Sequence, residues 1–389
     1  MVMDVVKPTT MRNANSLSLL NYARQYGPVA KKDIQAGIGL SWGAISNITA
    51  ELIERGALTE IKQLEPTVGR TPSLLDISSQ NNLIIGIEVN AIGLTAVMLD
   101  LKCRVLYKNA APVKDTSRAG FLDEIKRLIR KLLSDNRLSN DKIIGIGMAV
   151  QGVVDSARGV SVFAPFSTSD WVDVPIRDII RKEFDLPVSI LHDPVCSTLA
   201  EKWIGCVKYE EDFILIRINA GIGMGIVTGG SPYSGNNGNA GELEHLIVQP
   251  NGEPCTCGNK GCLGAYASGR GLLDRARQVE GRTDLTIENM AAMARGGQPG
   301  YANLFIEAGT YLGNAIAGLI NILNPQVIVF DDYFFHYKDL FWDAMVDSME
   351  MNKWKHSTVR LKISDLDSSA AIGAAVDFVQ KVFTGQTSI

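Results

Sequence analysis

Short apolar runs constrain the fold of this chain more than any other feature. There are six from Leu83 onward: "LIIGIEVN", "LTAVMLDL", "IIGIGMAV", "VSILHD", "FILIRINAG" and "QVIVFDD". Runs of this length, with helical patterns between them, are typical of buried strands in α/β proteins. A strand, turn, strand plan opens this region and recurs in "FILIRINAGIGMGIVTGG". The sequence therefore predicts two related α/β lobes with a cleft between them.

The bulk composition narrows the class of protein. At 389 residues the chain is too long for one ordinary core, and 46% hydrophobic with 21% charged residues is typical of a soluble globular protein. The most apolar stretch, "AIAGLINILNPQVIVF", is broken by Asn and Pro well short of the roughly 20 residues of a membrane span. Because the first residues lack a signal-peptide pattern, we expect a cytoplasmic protein with no membrane partner.

The first 78 residues have a different pattern and predict a DNA-binding domain. Three helical patterns are followed by two strand patterns around a Pro/Gly turn. In the third helix Ser41 is a good N-cap and Gly56 ends the pattern. Helix, helix, turn, helix and hairpin is the plan of a winged helix-turn-helix. Composition alone equally allows a three-helix dimerisation domain.

The third helix would present its first residues to base edges in the major groove. The candidate DNA-binding residues are Ser41, Trp42, Gly43, Ser46 and Asn47 on that helix, with Lys31, Lys32 and Arg70 around it. Residues 1–80 hold eight Lys or Arg against seven Asp or Glu, which is weak electrostatics for a DNA-binding module. A net charge of −4 still allows a small DNA-reading module on an acidic body. We therefore expect a dimer to bind DNA.

Three of the six cysteines stand close together among glycines. Cys255, Cys257 and Cys262 have the spacing C-x-C-x4-C, and His245 lies ten residues before the first of them. Three thiolates and an imidazole form a closed tetrahedral set for Zn²⁺, and a closed set is structural rather than catalytic. The alternative is a loop of free cysteines.

Two further segments mark where a small ligand would bind. The glycines of "NAGIGMGIVTGG" could let backbone N–H groups cradle an anion, and a plain tight turn is the alternative. The segment "ILHDPVCS" ends a strand with His192 and Asp193. The Asp193 carboxylate could take a proton or a hydrogen bond from a sugar hydroxyl. Pro194 opens the next helix, so N-capping is the alternative role of Asp193.

Motifs in order along the chain resemble the ROK family (repressors, open reading frames, kinases), in its transcriptional-regulator branch. The family's winged-helix module is similar to "GPVAKKDIQAGIGLSWGAISNITAELIERGALTE" followed by "VGRTPSLLDI". Its body motifs are similar to "GIGMAVQGVVDSARGV", "NAGIGMGIVTGG", "AGELEHLIVQPNGEPCTCGNKGCL" and "LGNAIAGLINILNPQVIVF". The cysteine segment is the most specific of these, and it supports structural zinc on the four residues named above.

The resemblance implies an α/β, actin-like sugar-kinase fold of two lobes, preceded by the winged helix. We expect a DNA-binding domain at 1–78, a first lobe at 79–193 with 373–389, and a second lobe at 194–372 that holds the zinc loop and dimerisation helices. In this family the sugar lies between the lobes, and the proteins form homodimers or homotetramers.

The resemblance also assigns the sugar-binding residues one by one. Asp193 matches the acidic member of an Asn-Asp pair, which is the catalytic base in the kinases, and His192 stands at the Asn. Glu242 and His245 match a G-E-x-G-H segment, in which Glu244 replaces the second Gly. These four matched residues, without Glu244, are the expected contacts of an effector sugar.

The nucleotide side departs from the kinase pattern. Where the kinases have the D-x-G-G-T turn that binds ATP phosphates, this chain has Glu88, Asn90 and Ala91. A Cβ at the last two positions obstructs close approach of the backbone to a phosphate. Asp331 and Asp332 replace small glycines, and two carboxylates would repel a polyphosphate. We expect no kinase activity.

These residues favour a transcriptional regulator, in this family commonly a repressor, of carbohydrate uptake or catabolism genes. Its partners would be operator DNA and an effector sugar or sugar derivative in a degenerate kinase cleft. Two alternatives stay open: an ATP-dependent sugar kinase with an attached DNA-binding module, and a regulator that responds to a protein partner or a non-sugar ligand. Gly264 motivates the last, since it stands where the family has a further sugar-binding Glu. The same loss could instead enlarge the cleft for a disaccharide or a substituted or phosphorylated sugar.

Overall fold

Two units make up the chain. The computed structural model describes residues 8–61, 73–91, 93–165, 171–236, 238–280, 284–331 and 333–386. The first unit comprises Met1–His192 and Ala370–Ile389, and the second comprises Asp193–Ser369. The N-terminal region falls in the first unit together with an α/β sheet, so the domain boundary at residue 78 stays a prediction.

The N-terminal region is a winged helix-turn-helix, as predicted. Its elements are α1 (Pro8–Tyr26), β1 (Val29–Ala30), α2 (Lys31–Ile38), α3 (Trp42–Glu54), β2 (Leu58–Ile61) and β3 (Leu74–Ile77). The three strands pair antiparallel in the order β1-β3-β2. The segment 62–72, which joins β2 to β3, lies outside the described residues.

Helix α3 begins and ends where its sequence predicts. The Ser41 hydroxyl accepts a hydrogen bond from the Ala44 N–H at 3.3 Å, which satisfies one of the unpaired donors of the first turn. Ile45, Ile48 and Leu52 are buried, as expected for an apolar stripe that faces a core. After the C-cap the chain reverses at Gly56, whose φ of +68° is a conformation that favours glycine.

The rest of the first unit is an α/β sheet with flanking helices. Its elements are β4 (Leu83–Val89), β5 (Leu94–Leu99), β6 (Val105–Ala111), α4 (Arg118–Asp135), β7 (Ile143–Val150), β8 (Val153–Asp155), β9 (Val160–Phe163), β10 (Val172–Val174), α5 (Ile176–Phe184) and β11 (Val188–His192). The large sheet has the order β11-β7-β4-β5-β6, in which β4, β7 and β11 are parallel and β5 is antiparallel to both neighbours. Strands β8 to β10 form a small separate sheet.

The second unit repeats this plan. Its elements are α6 (Asp193–Trp203), β12 (Phe213–Ile218), β13 (Ile222–Thr228), β14 (Ser231–Pro232), α7 (Gly264–Ala267), α8 (Gly269–Glu280), α9 (Ile287–Arg295), α10 (Pro299–Leu323), β15 (Val327–Asp331), α11 (Trp342–Asn352) and β16 (Arg360–Ile363). The helix that follows, α12 (Ser369–Phe383), belongs to the first unit from Ala370 onward. The sheet order is β14-β13-β12-β15-β16. Strand β12 is antiparallel to β13 and parallel to β15, as β4 is to β5 and β7. The predicted pair of related α/β lobes is therefore confirmed.

Glycines allow helices to pack closely in both units. A Cβ on Gly86 or Gly147 would lie within 2 Å of a carbonyl oxygen of α12, which packs across the first sheet. In the second unit, a Cβ on Gly309 or Gly313 of α10 would lie 2.3 or 2.2 Å from carbonyl oxygens at Phe341 and in α11. Within the described ranges, the helices lack the combination of length and hydropathy that crossing a bilayer requires.

Side-chain contacts join the winged helix to the body within the first unit. The Asn21 Nδ2 donates to the Phe383 carbonyl oxygen at 3.2 Å, and the Arg24 guanidinium lies 5.1 Å from the centre of the Phe383 ring. Lys102, in the turn between β5 and β6, forms a largely buried ion pair with Asp76 of β3. Helix α12 and this turn thus contact the DNA-binding region directly.

Candidate functional site

The four predicted metal ligands come together in the second unit. The ligand atoms of His245, Cys255, Cys257 and Cys262 all lie within 4.8 Å of one another. The Cys255 Sγ is 3.7 Å from the His245 Nδ1, and the Cys257 Sγ is 3.8 Å from the Cys262 Sγ. Bonds of about 2.3 Å to the corners of a tetrahedron would place two sulfurs about 3.8 Å apart. The cluster could therefore hold a tetrahedral metal ion.

The backbone of this loop is folded by its own hydrogen bonds. The Cys255 N–H donates to the Asn259 carbonyl at 2.9 Å, and the Gly261 N–H donates to the Glu253 carbonyl at 2.8 Å. Gly261 has a φ of +82°, and a Cβ there would lie 1.7 Å from the Gln249 carbonyl oxygen, so only glycine fits. The glycines between the cysteines position the sulfurs.

The cysteine thiols differ in environment. Burial, together with the neighbouring thiols, raises the pKa of Cys262 to about 12. The metal-free side chain is therefore a thiol, and a metal ion would displace its proton on binding. Cys206 lies outside the cluster, and burial with the Glu201 carboxylate beside it raises its pKa to about 12 as well. Such a thiol is unreactive and serves as a control for the cluster.

Asp193 belongs to a buried ionic network that the sequence did not predict. It is the first residue of α6, and its Oδ2 lies 3.4 Å from the Arg217 Nη1. The Arg217 Nε lies 3.5 Å from the Asp331 Oδ2, which also accepts a hydrogen bond from Ser369 at 2.5 Å. Arg217 is 6% exposed and Asp331 is 4% exposed. One guanidinium thus offsets two carboxylates in a region of low water access.

The glycine-rich segment of β13 forms the surface against which α6 packs. Gly223 and Gly225 lie inside strand β13 rather than in a loop. A Cβ on Gly223 would lie 2.4 Å from the Pro194 Cγ, and a Cβ on Gly225 would lie 1.8 Å from the Thr198 hydroxyl oxygen. These two glycines allow α6 to pack closely against the strand. Their position therefore favours a role in packing over a role in binding an anion.

The other predicted sugar contacts fall on both sides of the boundary between the units. His192 is the last residue of β11 and is half-buried. Glu242 is exposed and directly precedes a short 3₁₀ turn, Leu243–His245. His245 is half-buried beside the three cysteines. Gly264 is buried and begins α7. The structure brings His245 to the cysteines, and the sugar contacts of all four predicted residues stay predictions.

In the turn between β4 and β5, three backbone N–H groups already donate hydrogen bonds to acceptors in the protein. The Ala91 N–H donates to the Gln151 Oε1 at 3.0 Å, and the Asn90 N–H donates to the Gly93 carbonyl at 3.2 Å. The Gly93 N–H in turn donates to the Asn90 Oδ1 at 3.2 Å, and the Asn90 amide donates to the buried Glu88 carboxylate at 2.8 Å. These N–H groups are occupied by acceptors in the turn and by the Gln151 side chain, whereas a phosphate-binding turn must offer them to a ligand.

The predicted DNA-binding residues of α3 lie on one exposed surface, with the exception of half-buried Ser46. Trp42 is 53% exposed, and Gly43 and Asn47 are also exposed. Ser41 is exposed but its oxygen already caps α3.

The predicted basic residues around α3 differ in their availability. Lys32 is exposed, whereas Lys31 lies 3.4 Å from Glu60. Arg70 lies outside the described residues, as does Asp332.

Sequence reasoning missed Arg217 and Gln151. Arg217 is the one charged residue of the run "FILIRI", and an unexplained charge inside a buried strand was the available signal. Gln151 follows β7 and had no such signal, because its role depends on the turn at Ala91, which is distant in sequence.

Comparison with known proteins agrees with this architecture. The ROK family model matches residues 84–381. The DNA-binding transcriptional dual regulator NagC of Escherichia coli strain K12 is 28% identical over 375 residues, covering 94% of this chain and 92% of that protein.

Two solved structures show how far the likeness extends. A ROK family transcriptional regulator described as a homolog of the E. coli MLC protein has a TM-score of 0.80 at 25% identity, covering 96% of this chain and 97% of the other. A ROK hexokinase from Thermus thermophilus has a TM-score of 0.66 at 26% identity. The match covers 76% of this chain and 97% of the hexokinase chain. The regulator thus matches nearly the whole chain, including the winged helix, whereas the hexokinase matches a length close to that of the body alone. The family model spans the body of the chain, and the duplicated sheets and the cysteine cluster agree with it. This chain therefore belongs to the ROK family.

Proposed function

We propose that this protein is a sugar-responsive transcriptional repressor of genes for carbohydrate uptake or catabolism. The observation that carries the proposal is the joining of a winged helix with an exposed recognition surface to a ROK body in one chain. The named regulators match over the winged helix as well as the body. A dimer or tetramer would supply two recognition helices for a palindromic operator, which compensates for the weak charge of one module.

The effector in this proposal is a sugar or sugar derivative. His192, Asp193, Glu242 and His245 are the candidate contacts. Ionised carboxylates are hydrogen-bond acceptors only, so they suit the hydroxyl donors of a sugar. Release of DNA requires that the sugar bind one conformation of the protein more tightly than another. The contacts of Asn21 and Arg24 with α12 offer a physical connection between the body and the DNA-binding helices.

The metal in the cysteine cluster is proposed to be Zn²⁺ with a structural role. The donor set of three thiolates and one imidazole is that of closed zinc sites, which leave no position for a reacting water. His245 is both a ligand and a candidate sugar contact, so a bound metal would also orient that ring for the effector.

DNA binding should depend on the exposed surface of α3. We expect Asn47→Ala to weaken operator binding by about 5- to 100-fold, because one base contact is worth roughly 1–3 kcal/mol. Trp42→Ala should weaken it at least as much, since the exposed ring is the largest apolar group on that surface. Fluorescence anisotropy with a labelled operator measures both.

The matched control for these variants is Asn352→Ala, at the end of α11 in the other unit. It should leave operator affinity unchanged. If Trp42→Ala and Asn47→Ala bind the operator as tightly as the wild type, the assignment of α3 as the recognition helix is wrong.

A second proposal concerns catalysis: the chain transfers no phosphoryl group from ATP. The occupied donors of the turn at Asn90 and Ala91 support it, because phosphate binding would have to break those hydrogen bonds. We expect no release of ADP above background in a coupled assay with a panel of sugars. Turnover with any sugar would contradict this and would favour a sugar kinase with an attached DNA-binding region.

A further inference from the structure

Glu244 and Gly264 share one space. A Cβ on Gly264 would lie 2.4 Å from the Glu244 Cγ and 2.8 Å from its Oε1. The Glu244 carboxylate therefore stands where a side chain at position 264 would begin. Two departures from the family pattern, an added Glu at 244 and a lost one at 264, meet at one point although they are distant in sequence.

The backbone around Glu244 holds its carboxylate in place. The Oε2 accepts a hydrogen bond from the Ile222 N–H at 2.9 Å. Gly221 leaves room for it, since a Cβ there would lie 2.4 Å from the same oxygen. The turn before β13, which includes Gly221, is hydrogen-bonded to the start of α8. The Gly269 N–H donates to the Asn219 carbonyl at 2.8 Å.

Glu244 and the start of α6 both pack against the beginning of β13 or the residue before it. Gly221 directly precedes β13, and Gly223 is the second residue of that strand. Pro194 fills the space at Gly223, and Glu244 fills the space at Gly221. The start of α6 and Glu244 are thus neighbours of two positions that are two residues apart in the chain.

We infer that Glu244 is a specificity-determining residue of the effector site and supplies the carboxylate that position 264 has lost. This rests on the proposed function. The Oε2 bond to Ile222 orients the carboxylate, and in this inference Oε1, which lies beside Gly264, accepts the hydrogen bond from a sugar hydroxyl. The ligand class that fits is an uncharged sugar with adjacent hydroxyls. A sugar phosphate does not fit, because the Glu244 carboxylate would repel its charge.

The test is sugar binding by the full-length protein, measured by calorimetry. The probes are D-glucose, N-acetyl-D-glucosamine and D-xylose, with the 6-phosphates of the first two. We expect the wild type to bind a neutral sugar. Glu244→Gln should raise its Kd about 10- to 100-fold, because a charge-assisted hydrogen bond becomes a neutral one or is lost. The amide oxygen can still accept from the Ile222 N–H, so the variant should fold, and Glu350→Gln on α11 is the matched control with an unchanged Kd.

Moving the carboxylate from position 244 to position 264 provides a second test. Gly264→Glu alone should weaken binding and lower the Tm, because the new Cβ collides with the Glu244 side chain. Combining it with Glu244→Gly should restore binding to within about tenfold of the wild type, since the carboxylate then returns from the other position.

The outcomes distinguish the role of Glu244 from the proposed sugar effector. If the wild type binds a neutral sugar and neither Glu244→Gln nor the exchange alters the Kd as expected, the role of Glu244 is wrong and the proposed function stands. If only the 6-phosphates bind, the ligand class is wrong. If the wild type binds none of the probes, the proposed sugar effector fails and the role of Glu244 fails with it.

Discussion

Replacing Cys262 with serine should remove the metal from the purified protein and lower its Tm by about 10–20 °C. Cys262 is fully buried, and its sulfur lies 3.8 Å from that of Cys257. A serine oxygen is a poor ligand for Zn²⁺, and the loss of a structural metal is among the few changes that cost about 5 kcal/mol. In a unit of this size each kcal/mol corresponds to about 2–4 °C. Metal content by mass spectrometry and thermal unfolding measure the two effects.

Cys206→Ser is the matched control for Cys262→Ser. Cys206 is a half-buried thiol of the same unit outside the cluster, so its replacement should leave one metal per chain. Treatment of the wild type with a strong chelator should reproduce the behaviour of Cys262→Ser. A wild type that is purified without metal and gains no stability from added Zn²⁺ would contradict the metal site.

Replacing Arg217 with methionine should destabilise the second unit by about 3–5 kcal/mol. The guanidinium lies close to the carboxylates of Asp193 and Asp331, and its removal takes away the positive charge that offsets one half-buried and one buried carboxylate. The expected decrease in Tm is about 6–20 °C, measured by differential scanning calorimetry. Arg217→Lys keeps the charge but loses the planar fork, so its Tm should lie between those of the wild type and Arg217→Met.

A double variant tests whether charge is the cause. Adding Asp331→Asn to Arg217→Met removes one of the two uncompensated carboxylates, and we expect it to recover part of the lost stability. Asp331→Asn alone should destabilise less than Arg217→Met, since Ser369 can still donate to the amide oxygen. Purely additive effects of the two changes would show that Arg217 acts by packing its apolar stem rather than by its charge.

Much of the architecture could be predicted because the relevant signals are local. The apolar stripe and cap of α3 are contained in one short segment, and the structure confirms both. The runs that become β4, β7, β12 and β15 are long and apolar enough to indicate buried strands without reference to any partner. The cysteine cluster is also local, since three ligands lie within eight residues of each other in the sequence.

The features that escaped prediction depend on contacts between distant residues. Gly264 alone indicates a missing sugar contact, and Glu244 alone indicates a bulky substitution. Only the structure shows that the second fills the space of the first. The surroundings of Asp331 were also not predictable from sequence, because the structure places Arg217 and Ser369 against it and the guanidinium offsets part of its charge. In both cases the neighbour determines what the side chain can do.

In the proposed function, a sugar controls the binding of operator DNA. The direct measurement uses the full-length protein and a labelled operator that this protein has selected from random-sequence duplexes. The anisotropy of the operator is recorded as protein is added, and the titration is repeated at increasing concentrations of the neutral sugar that binds. We expect saturating sugar to weaken DNA binding by at least about tenfold and, by linkage, DNA to weaken sugar binding by the same factor. Equal operator affinity with and without a saturating sugar would contradict the account.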